Sequence, residues 1–313
     1  MSTDDFSFGV LDEKFTDAHA ATLYLEGLRW ADGVVCPHCG EREREPYLLK
    51  GKRRVWKCKA CRKQFTVTVG TIFERSHIPL NKWLLAFNLL CSSKKGMSAH
   101  QLHRMLGVTY KSAWFMAHRI RYAMTQSPFA KRLDGVVEVD ETYIGGKARN
   151  RLPRYRGSGN IGRGKDKVPV VALVQRNGQA RALALSRVTS DELKGAIRRH
   201  VAREARIITD SFPSYRGLHK EFAQHNLINH ANDEWVRGDV HTNTVEGYFS
   251  ILKRGVNGVY HHVSEQHLPR YLTEFDFRYN TRSGNGYTDS QRTRTALMGA
   301  EGKRLTYAGT KSS

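Results

Sequence analysis

Three acids in the second half of the chain, Asp140, Asp210 and Glu246, have the types and local contexts that phosphodiester chemistry needs. Asp140 lies in VVEVDETYIGG and Asp210 in ARIITDSFPSY. Each follows a run rich in β-branched residues, which predicts each carboxylate on, or at the end of, a buried strand. Glu246 lies in HTNTVEGYFSILKRG, a stretch that reads as a helix, with Lys253 seven residues further on. Seven residues is close to two helical turns, so Glu246 and Lys253 share a face. Two strand-borne aspartates, a helical glutamate and a lysine suit a two-metal site acting on a phosphodiester. Hard carboxylate oxygens favour Mg²⁺ or Mn²⁺ over zinc. Each residue also has an ordinary alternative: Asp210 could cap the segment after it, and Glu246 with Lys253 could be a solvated helix face. Asp140 is hardest to explain that way, because aspartate is depleted in strands.

Four of the five cysteines form one pattern, Cys36-Pro-His-Cys39 and Cys58-Lys-Ala-Cys61. Two CxxC knuckles at this separation predict a zinc ribbon, with four thiolates closing a tetrahedral shell around one structural zinc per chain. His38 is then a bystander, and Gly40 supplies the tight turn after the first knuckle. Tyr47 to Leu49, Arg53 to Cys58 and Gln64 to Val69 read as short strands around the knuckles. Lys50, Lys52, Arg53, Arg54, Lys57, Lys59, Arg62 and Lys63 give the module a basic character suited to DNA.

The elements that must position these groups follow from periodicity and charge. The 313 residues carry 51 Lys+Arg against 30 Asp+Glu, a net charge of +21, which favours a polyanionic partner over a small neutral substrate. The N-terminal decapeptide is acidic and polar, without a secretory h-region, and the longest apolar run, Trp83 to Cys91, is too short for a bilayer. A cytoplasmic, nucleoid-associated protein with no membrane partner is expected. Thr16 to Trp30 reads as an amphipathic helix, Asn81 to Cys91 as another, Ser98 to Leu106 as a third capped by Ser98, and Tyr110 to Arg121 as a fourth after the turn Gly107-Val108-Thr109. The last two, with Leu102, Leu106, Val108 and Ala113 between them and Lys111 on the second as a candidate DNA contact, have a helix-turn-helix outline. An ordinary helical hairpin fits the same pattern; the adjoining ribbon and the net charge favour DNA binding.

From Gly135 strands and helices alternate. Strands are predicted over 136–144, 168–175, 180–188, 205–209 and 225–229, with an Asn-Gly hairpin turn at 176–179. Helices are predicted over 190–204 (Ser190 as cap), 215–222, 244–255 and 264–280. Three antiparallel strands, a helix, a further strand and a helix bearing the last acid is the order of an α/β RNase H-like fold. Alternation within the first strand predicts that Glu141 faces away from Asp140, so that only one of them aims at the site. Glu141 and Asp239 are the nearest decoys. Between the first two strands, residues 147–167 hold eight basic residues and one acid, with five Gly or Ser between Gly157 and Gly164. Arg149, Arg151, Arg154 and Arg156 make this insertion a candidate arm for the DNA backbone.

CPHCG with CKACRKQF, then VEVDETYIGGK, TDSFPSY, HTNTVEGYFSILKRG and YLTEFDFRYN, in that order, resemble bacterial insertion-sequence transposases of the DDE class with an N-terminal zinc ribbon, the ISXO-two-like group. The resemblance covers roughly residues 15 to 285. It implies Asp140, Asp210 and Glu246 as catalytic triad and Lys253 as the associated basic residue that holds a phosphate. Asn243, one turn before Glu246, is a candidate second ligand or contact to scissile DNA. It further implies two catalytic Mg²⁺ or Mn²⁺ ions, cleavage at element ends and transfer into target DNA, and double-stranded DNA as partner. Pairing two ends implies a homodimer or larger when DNA is bound. The expected organisation is an N-terminal helical segment 1–30, ribbon 31–75, helix-turn-helix-like region 78–130, RNase H-like domain 135–285 with the basic insertion 147–167, and a basic tail 286–313. Two rival functions are a DNA-binding regulator with a degenerate catalytic domain and a nuclease that cuts without joining.

Overall fold

The computed structural model describes residues 17–51, 53–125, 131–145, 167–229 and 232–306, which fall into two compact units. The basic insertion, with Arg149, Arg151, Arg154 and Arg156, lies outside the described residues apart from Lys167.

The second unit, residues 126–286, is built on a five-stranded sheet. Its strands are β4 (Val136–Ile144), β5 (Val168–Gln175), β6 (Ala180–Ala184), β7 (Arg206–Asp210) and β8 (Gln224–Ile228), after three short ribbon strands described below. The spatial order is β6-β5-β4-β7-β8. β4, β5 and β6 pair antiparallel, whereas β7 runs parallel to both β4 and β8. This is the RNase H-like order predicted from sequence. Alternation sorts the side chains cleanly. Val137, Val139, Val171, Leu173 and Ile207 pack with Leu193, Ala196 and Ile197 of one helix, Ser190–His200. Val170, Ala172 and Val174 pack on the opposite face with Val245, Tyr248 and Leu252 of helix Asn243–Gly255, and with Leu272 and Phe275 of helix Leu268–Asn280. Glu138 and Asp140 belong to this second face.

The edge strand β6 is covered rather than left open. Asp276 accepts hydrogen bonds from the Ala182 N–H (3.1 and 3.0 Å), and Asn280 takes the Ala180 N–H (2.6 Å) and donates to the Ala180 carbonyl (3.1 Å). Residues 276 and 280 are one turn apart on a helix face, so a single helix blocks the edge against pairing with another chain.

Several local expectations shift. The helix after β6 is capped by Thr189, whose hydroxyl accepts from the Glu192 N–H, and Ser190 is its first residue. Residues 215–222 do not form one helix. Gly217, at φ 91°, divides the segment into two 3-10 turns, Pro213–Tyr215 and Leu218–Lys220. Gln175 pairs with Gln179 across a three-residue loop with Asn177 at φ 54°.

The first unit gathers residues up to Thr125 and a C-terminal segment from Tyr287. Its helices are α1 (Ala18–Arg29), α2 (Leu80–Ser92), α3 (Ala99–Leu106) and α4 (Tyr110–Ala123). The helices of the second unit, Ser190–His200, Asn243–Gly255 and Leu268–Asn280, are α5, α6 and α7, and Asp289–Met298 is α8. The ribbon strands are β1 (Tyr47–Leu48), β2 (Trp56–Lys57) and β3 (Gln64–Phe65), all antiparallel. Ser98 caps α3 as predicted, Gly107 ends it in the left-handed region (φ 58°), and Thr109 caps α4. Leu102, Leu106 and Ala113 are buried between α3 and α4, whereas Val108 is only partly covered. Lys111 is exposed near the start of α4.

Residues 286–313, expected as a basic tail, include the helix α8, which packs on α2. Thr288 and Gln291 form a reciprocal capping box at its start. Its Arg292 donates to the Cys91 carbonyl (2.9 Å). Gly299 closes it against α4, where an added Cβ would stand 2.3 Å from the Ala123 carbonyl oxygen. The helix buries mainly Thr293, Ala296 and Leu297, too small an apolar stripe to register in the sequence pattern.

Candidate active site

β4 and β7 set the first two acids side by side. Their parallel register pairs Val136 with Arg206, Val137 with Ile207 and Glu138 with Ile208. Continued two residues further, it brings Asp140 level with Asp210, both on the α6 face. The ligand atoms of Asp140, Glu141 and Asp210 all lie within 4.8 Å of one another. One oxygen of each aspartate is fixed by the backbone. The Glu141 N–H donates to Asp140 Oδ1 (2.8 Å) and the Phe212 N–H to Asp210 Oδ1 (3.0 Å).

Glu141 corrects the sequence reading. It leaves β4 on the α5 face, as alternation requires, and the buried Tyr215 hydroxyl donates to its Oε2 (2.6 Å). Its carboxylate nevertheless joins the cluster, because β7 pairs with β4 only as far as Glu138. Beyond that point no described strand is hydrogen-bonded to this side of β4, and the Glu141 carboxylate reaches those of Asp140 and Asp210. The other decoy, Asp239, is held in an ion pair with Arg206.

Glu246 lies in the first turn of α6, exposed, with the Thr242 hydroxyl donating to its Oε1 (2.8 Å). It falls outside the 4.8 Å cluster, yet its charge acts on Asp140. Burial, then the negative charge of Glu141, and those of Asp210 and Glu246 push the Asp140 carboxyl up to about 7, against the pull of the Glu141 N–H. Asn243, exposed at the first residue of α6, is outside the cluster as well. Lys253 is exposed, its ammonium 5.8 Å from the Phe249 ring centroid.

A fourth acid escaped the sequence reading. Glu138, two residues before Asp140 on the same face, is fully buried and receives Arg176, Thr244 and Val245. The available signal was its i−2 relation to Asp140 in a strand that opens Val-Val-Glu-Val.

In the first unit the four cysteine sulfurs also lie within 4.8 Å of one another, with Cys36–Cys61 and Cys39–Cys58 each 3.7 Å apart. Zinc–sulfur bonds of about 2.3 Å in tetrahedral geometry require sulfurs about 3.8 Å apart. The two knuckles superpose in logic as well as spacing. Gly40 and Arg62, each four residues after its first cysteine, both take positive φ (75° and 62°). Within the cluster, N–H groups of Cys61 and Ala60 draw the Cys58 thiol down to about 7, whereas burial pushes the Cys36 thiol up and Cys39 is raised to about 12 against the pull of the Glu41 N–H. His38 stays out of the shell, its Nε2 3.2 Å from the Gln64 carbonyl. The ribbon is braced by α1: buried Glu26 accepts from Arg54 Nε (2.8 Å) and Trp56 Nε1 (3.0 Å), and Trp30 meets Trp56 and Phe65 edge-on. Purified protein is expected to carry one zinc per chain by elemental analysis, and chelation to melt the ribbon while the five-stranded unit, with its own core, persists. Zinc-free protein with an intact ribbon would refute this.

The second unit thus combines a sheet of RNase H-like order with acids brought together from two adjacent parallel strands, Asp140 within β4 and Asp210 at the end of β7, and the first unit carries a four-cysteine ribbon. Residues 132–280 match the family described as the ISXO2-like transposase domain, and residues 16–64 match the transposase zinc-ribbon domain. A Halobacterium salinarum protein, named as an uncharacterized protein in transposable element ISH50, is 31% identical over 276 residues, covering 84% of this chain and 91% of the relative. Among solved structures, a simian T-cell lymphotropic virus intasome in complex with PP2A regulatory subunit B56 gamma aligns at 16% identity and TM-score 0.28, over 59% of this chain and 66% of that one. A Mos1 transposase paired-end complex with left transposon end aligns at 12% identity and TM-score 0.28, over 69% and 75%. Likeness at that level adds nothing to the assignment. The chain belongs to the ISXO2-like transposases and is a DNA transposase carrying a structural zinc ribbon, as its motifs predicted. Among the described residues no helix is long and apolar enough to cross a membrane.

Proposed function

We propose that this transposase is of the DDE type, with Asp140, Asp210 and Glu246 as its divalent-metal ligands. The observation that carries the reading is the assembly of Asp140 and Asp210 on the sheet face covered by α6, whose first turn bears Glu246. The donor set fits Mg²⁺ or Mn²⁺: it is all carboxylate oxygen, and its crowded negative charge adds to burial in raising Asp140. When bound, two such ions supply Lewis acidity to the scissile phosphate and stabilise charge on the entering and leaving oxygens.

The protein's own groups do the rest. Backbone N–H bonds to Asp140 Oδ1 and Asp210 Oδ1 leave the second oxygen of each free to turn to a ligand. Tyr215 holds Glu141, so this neighbouring carboxylate adds charge in a fixed place. Lys253, two turns along α6 from Glu246, presents a point charge to a DNA phosphate. In the first reaction water attacks the phosphodiester at the element end and the P–O3′ bond to the element's terminal nucleotide breaks, leaving a 3′-hydroxyl on the element and a 5′-phosphate on the flanking strand. In the second that hydroxyl attacks a target phosphodiester and displaces its 3′-oxygen, so the number of phosphodiester bonds is conserved. The ribbon, α3–α4 with Lys111, Asn243 and the arginines at 149, 151, 154 and 156 contribute DNA contacts. Two copies pair the two element ends, and the protein works in the cytoplasm at the nucleoid.

The test is incubation of the purified protein with labelled element ends, a supercoiled target and Mg²⁺. Joined products that require both ends and divalent metal are expected. Cut ends that are never joined would make it a nuclease, and bound but uncut ends would make it a regulator.

A further inference from the structure

Helix α6 begins without a local cap. Its N-cap residue, Thr242, makes no side-chain bond to the first-turn amides, and its hydroxyl donates instead to Glu246 Oε1. The first-turn donors are satisfied from 106 and 107 residues away: Glu138 Oε2 accepts the Thr244 N–H (2.7 Å) and the Val245 N–H (3.0 Å). Glu138 Oε1 accepts from the Thr244 hydroxyl (2.8 Å) and from Arg176 Nε (2.6 Å), with His241 Nδ1 3.4 Å away. Arg176 also donates to the carbonyls of Asp239 (2.7 Å) and His241 (3.0 Å), tying the segment that enters α6 to the β5–β6 loop.

We propose that Glu138 is a positioning residue for the metal site, clamping the start of α6 so that Glu246 is held at a fixed distance from Asp140. The proposal rests on the reading of Asp140 and Glu246 as ligands. The geometry is short on both sides. Glu138 is two residues from Asp140 along a paired strand, and Val245, which it binds, is the residue before Glu246. The line from one ligand to the other therefore runs through a single fully buried carboxylate. Each of its oxygens meets two donors, so an amide cannot replace it: whichever way a glutamine is turned, its NH₂ faces N–H or O–H donors. An ordinary stabilising cap predicts only that the helix frays when the carboxylate is lost. A positioning clamp predicts a loss of metal affinity that depends on Glu246, because groups that orient ligands typically account for about 10- to 100-fold in affinity.

The experiment is a Mn²⁺ titration of the full-length protein, following free Mn²⁺ by electron paramagnetic resonance, for wild type, Glu138→Gln, Glu246→Gln and the double variant. Circular dichroism and zinc content check folding. Glu138→Gln is expected to raise the Mn²⁺ Kd about 10-fold or more. In the Glu246→Gln background the same change is expected to alter it less than about twofold, because the residue it acts through is already lost. Equal factors in the two backgrounds would overturn the proposal, as would Glu138→Gln binding like wild type while Glu246→Gln binds poorly. If Glu246→Gln alone leaves Mn²⁺ binding unchanged, the reading of Glu246 falls first and the proposal with it. Should Glu138→Gln not fold, Glu138→Asp and Thr244→Val enter the same cycle. Thr244→Val removes one donor and keeps both backbone bonds, and a Glu246-dependent loss in either variant supports the clamp. A loss independent of Glu246, or none, overturns it.

Discussion

Glu246→Gln is expected to abolish both cleavage and joining, by about 10³-fold or more, while leaving element-end binding close to wild type. A lost ligand removes several kcal/mol of charge stabilisation at the transition state, and each 1.36 kcal/mol is about tenfold in rate. Binding survives because the ribbon and the α3–α4 pair are folded in the other compact unit. The isosteric amide keeps the side chain's shape and still accepts from Thr242, so a folding defect is not the expected cause. Asn243→Ala, one turn earlier on α6, is expected to give a partial defect, since a neutral amide is a poor partner for a divalent ion. Lys253→Ala should slow joining through loss of one charge-assisted phosphate contact. The measurement is single-turnover cleavage and strand transfer on labelled ends, with binding followed separately by gel shift. A Glu246→Gln protein that still joins ends would sink the assignment and move attention to Glu141, whose carboxylate already lies with Asp140 and Asp210.

The chemistry was more legible in the sequence than the geometry that supports it. Asp140 and Asp210 stood out because a charged residue ending a β-branched run has few structural excuses, and the cysteines because ligand spacing in a ribbon is local. Long-range partnerships were not visible. Glu138 reads as one more polar residue in an alternating strand, and nothing nearby announces that its donors are Arg176, Thr244 and Val245. Glu141 was misjudged because alternation describes where a side chain leaves a strand, not where its end arrives once a neighbouring strand has stopped pairing. The C-terminal helix was hidden by its small apolar face, although Thr288-Asp-Ser-Gln291 is a capping-box signature. Gly217 was the local sign that residues 215–222 would break into two short turns, since a glycine inside a helical pattern weakens it. In each case the missing information was a tertiary contact, or a turn residue outweighed by composition.

Asp140 predicts a coupling between pH, metal and stability that reaches beyond activity. Its carboxyl is raised from 3.8 to about 7, first by burial and then by its acidic neighbours, so the folded protein holds this proton more tightly than the unfolded chain does. Stability then falls with rising pH wherever the folded state binds the extra proton. Without divalent metal, the contribution of Asp140 is intact below about pH 4, declines between 4 and 7, and stays lost above 7. A bound cation reverses the sign, because it requires the ionised form. Apparent Mn²⁺ affinity should therefore rise by up to about tenfold per pH unit below 7 and level off above it. Added Mn²⁺ should raise the melting temperature of the RNase H-like unit more at pH 8 than at pH 6, since stabilisation grows with the ratio of free ligand to Kd. Asp140→Asn removes the titrating group and one anionic ligand together. It is expected to melt higher than wild type in chelator at pH 8, to lose the pH-dependent decline, and to gain nothing from Mn²⁺. Calorimetric scans of both proteins at several pH values, with and without Mn²⁺, test this directly. A wild-type melting temperature that responds equally to Mn²⁺ at pH 6 and pH 8 would mean that Asp140 is ionised throughout, and that its neighbours are neutralised by the protein rather than by a metal.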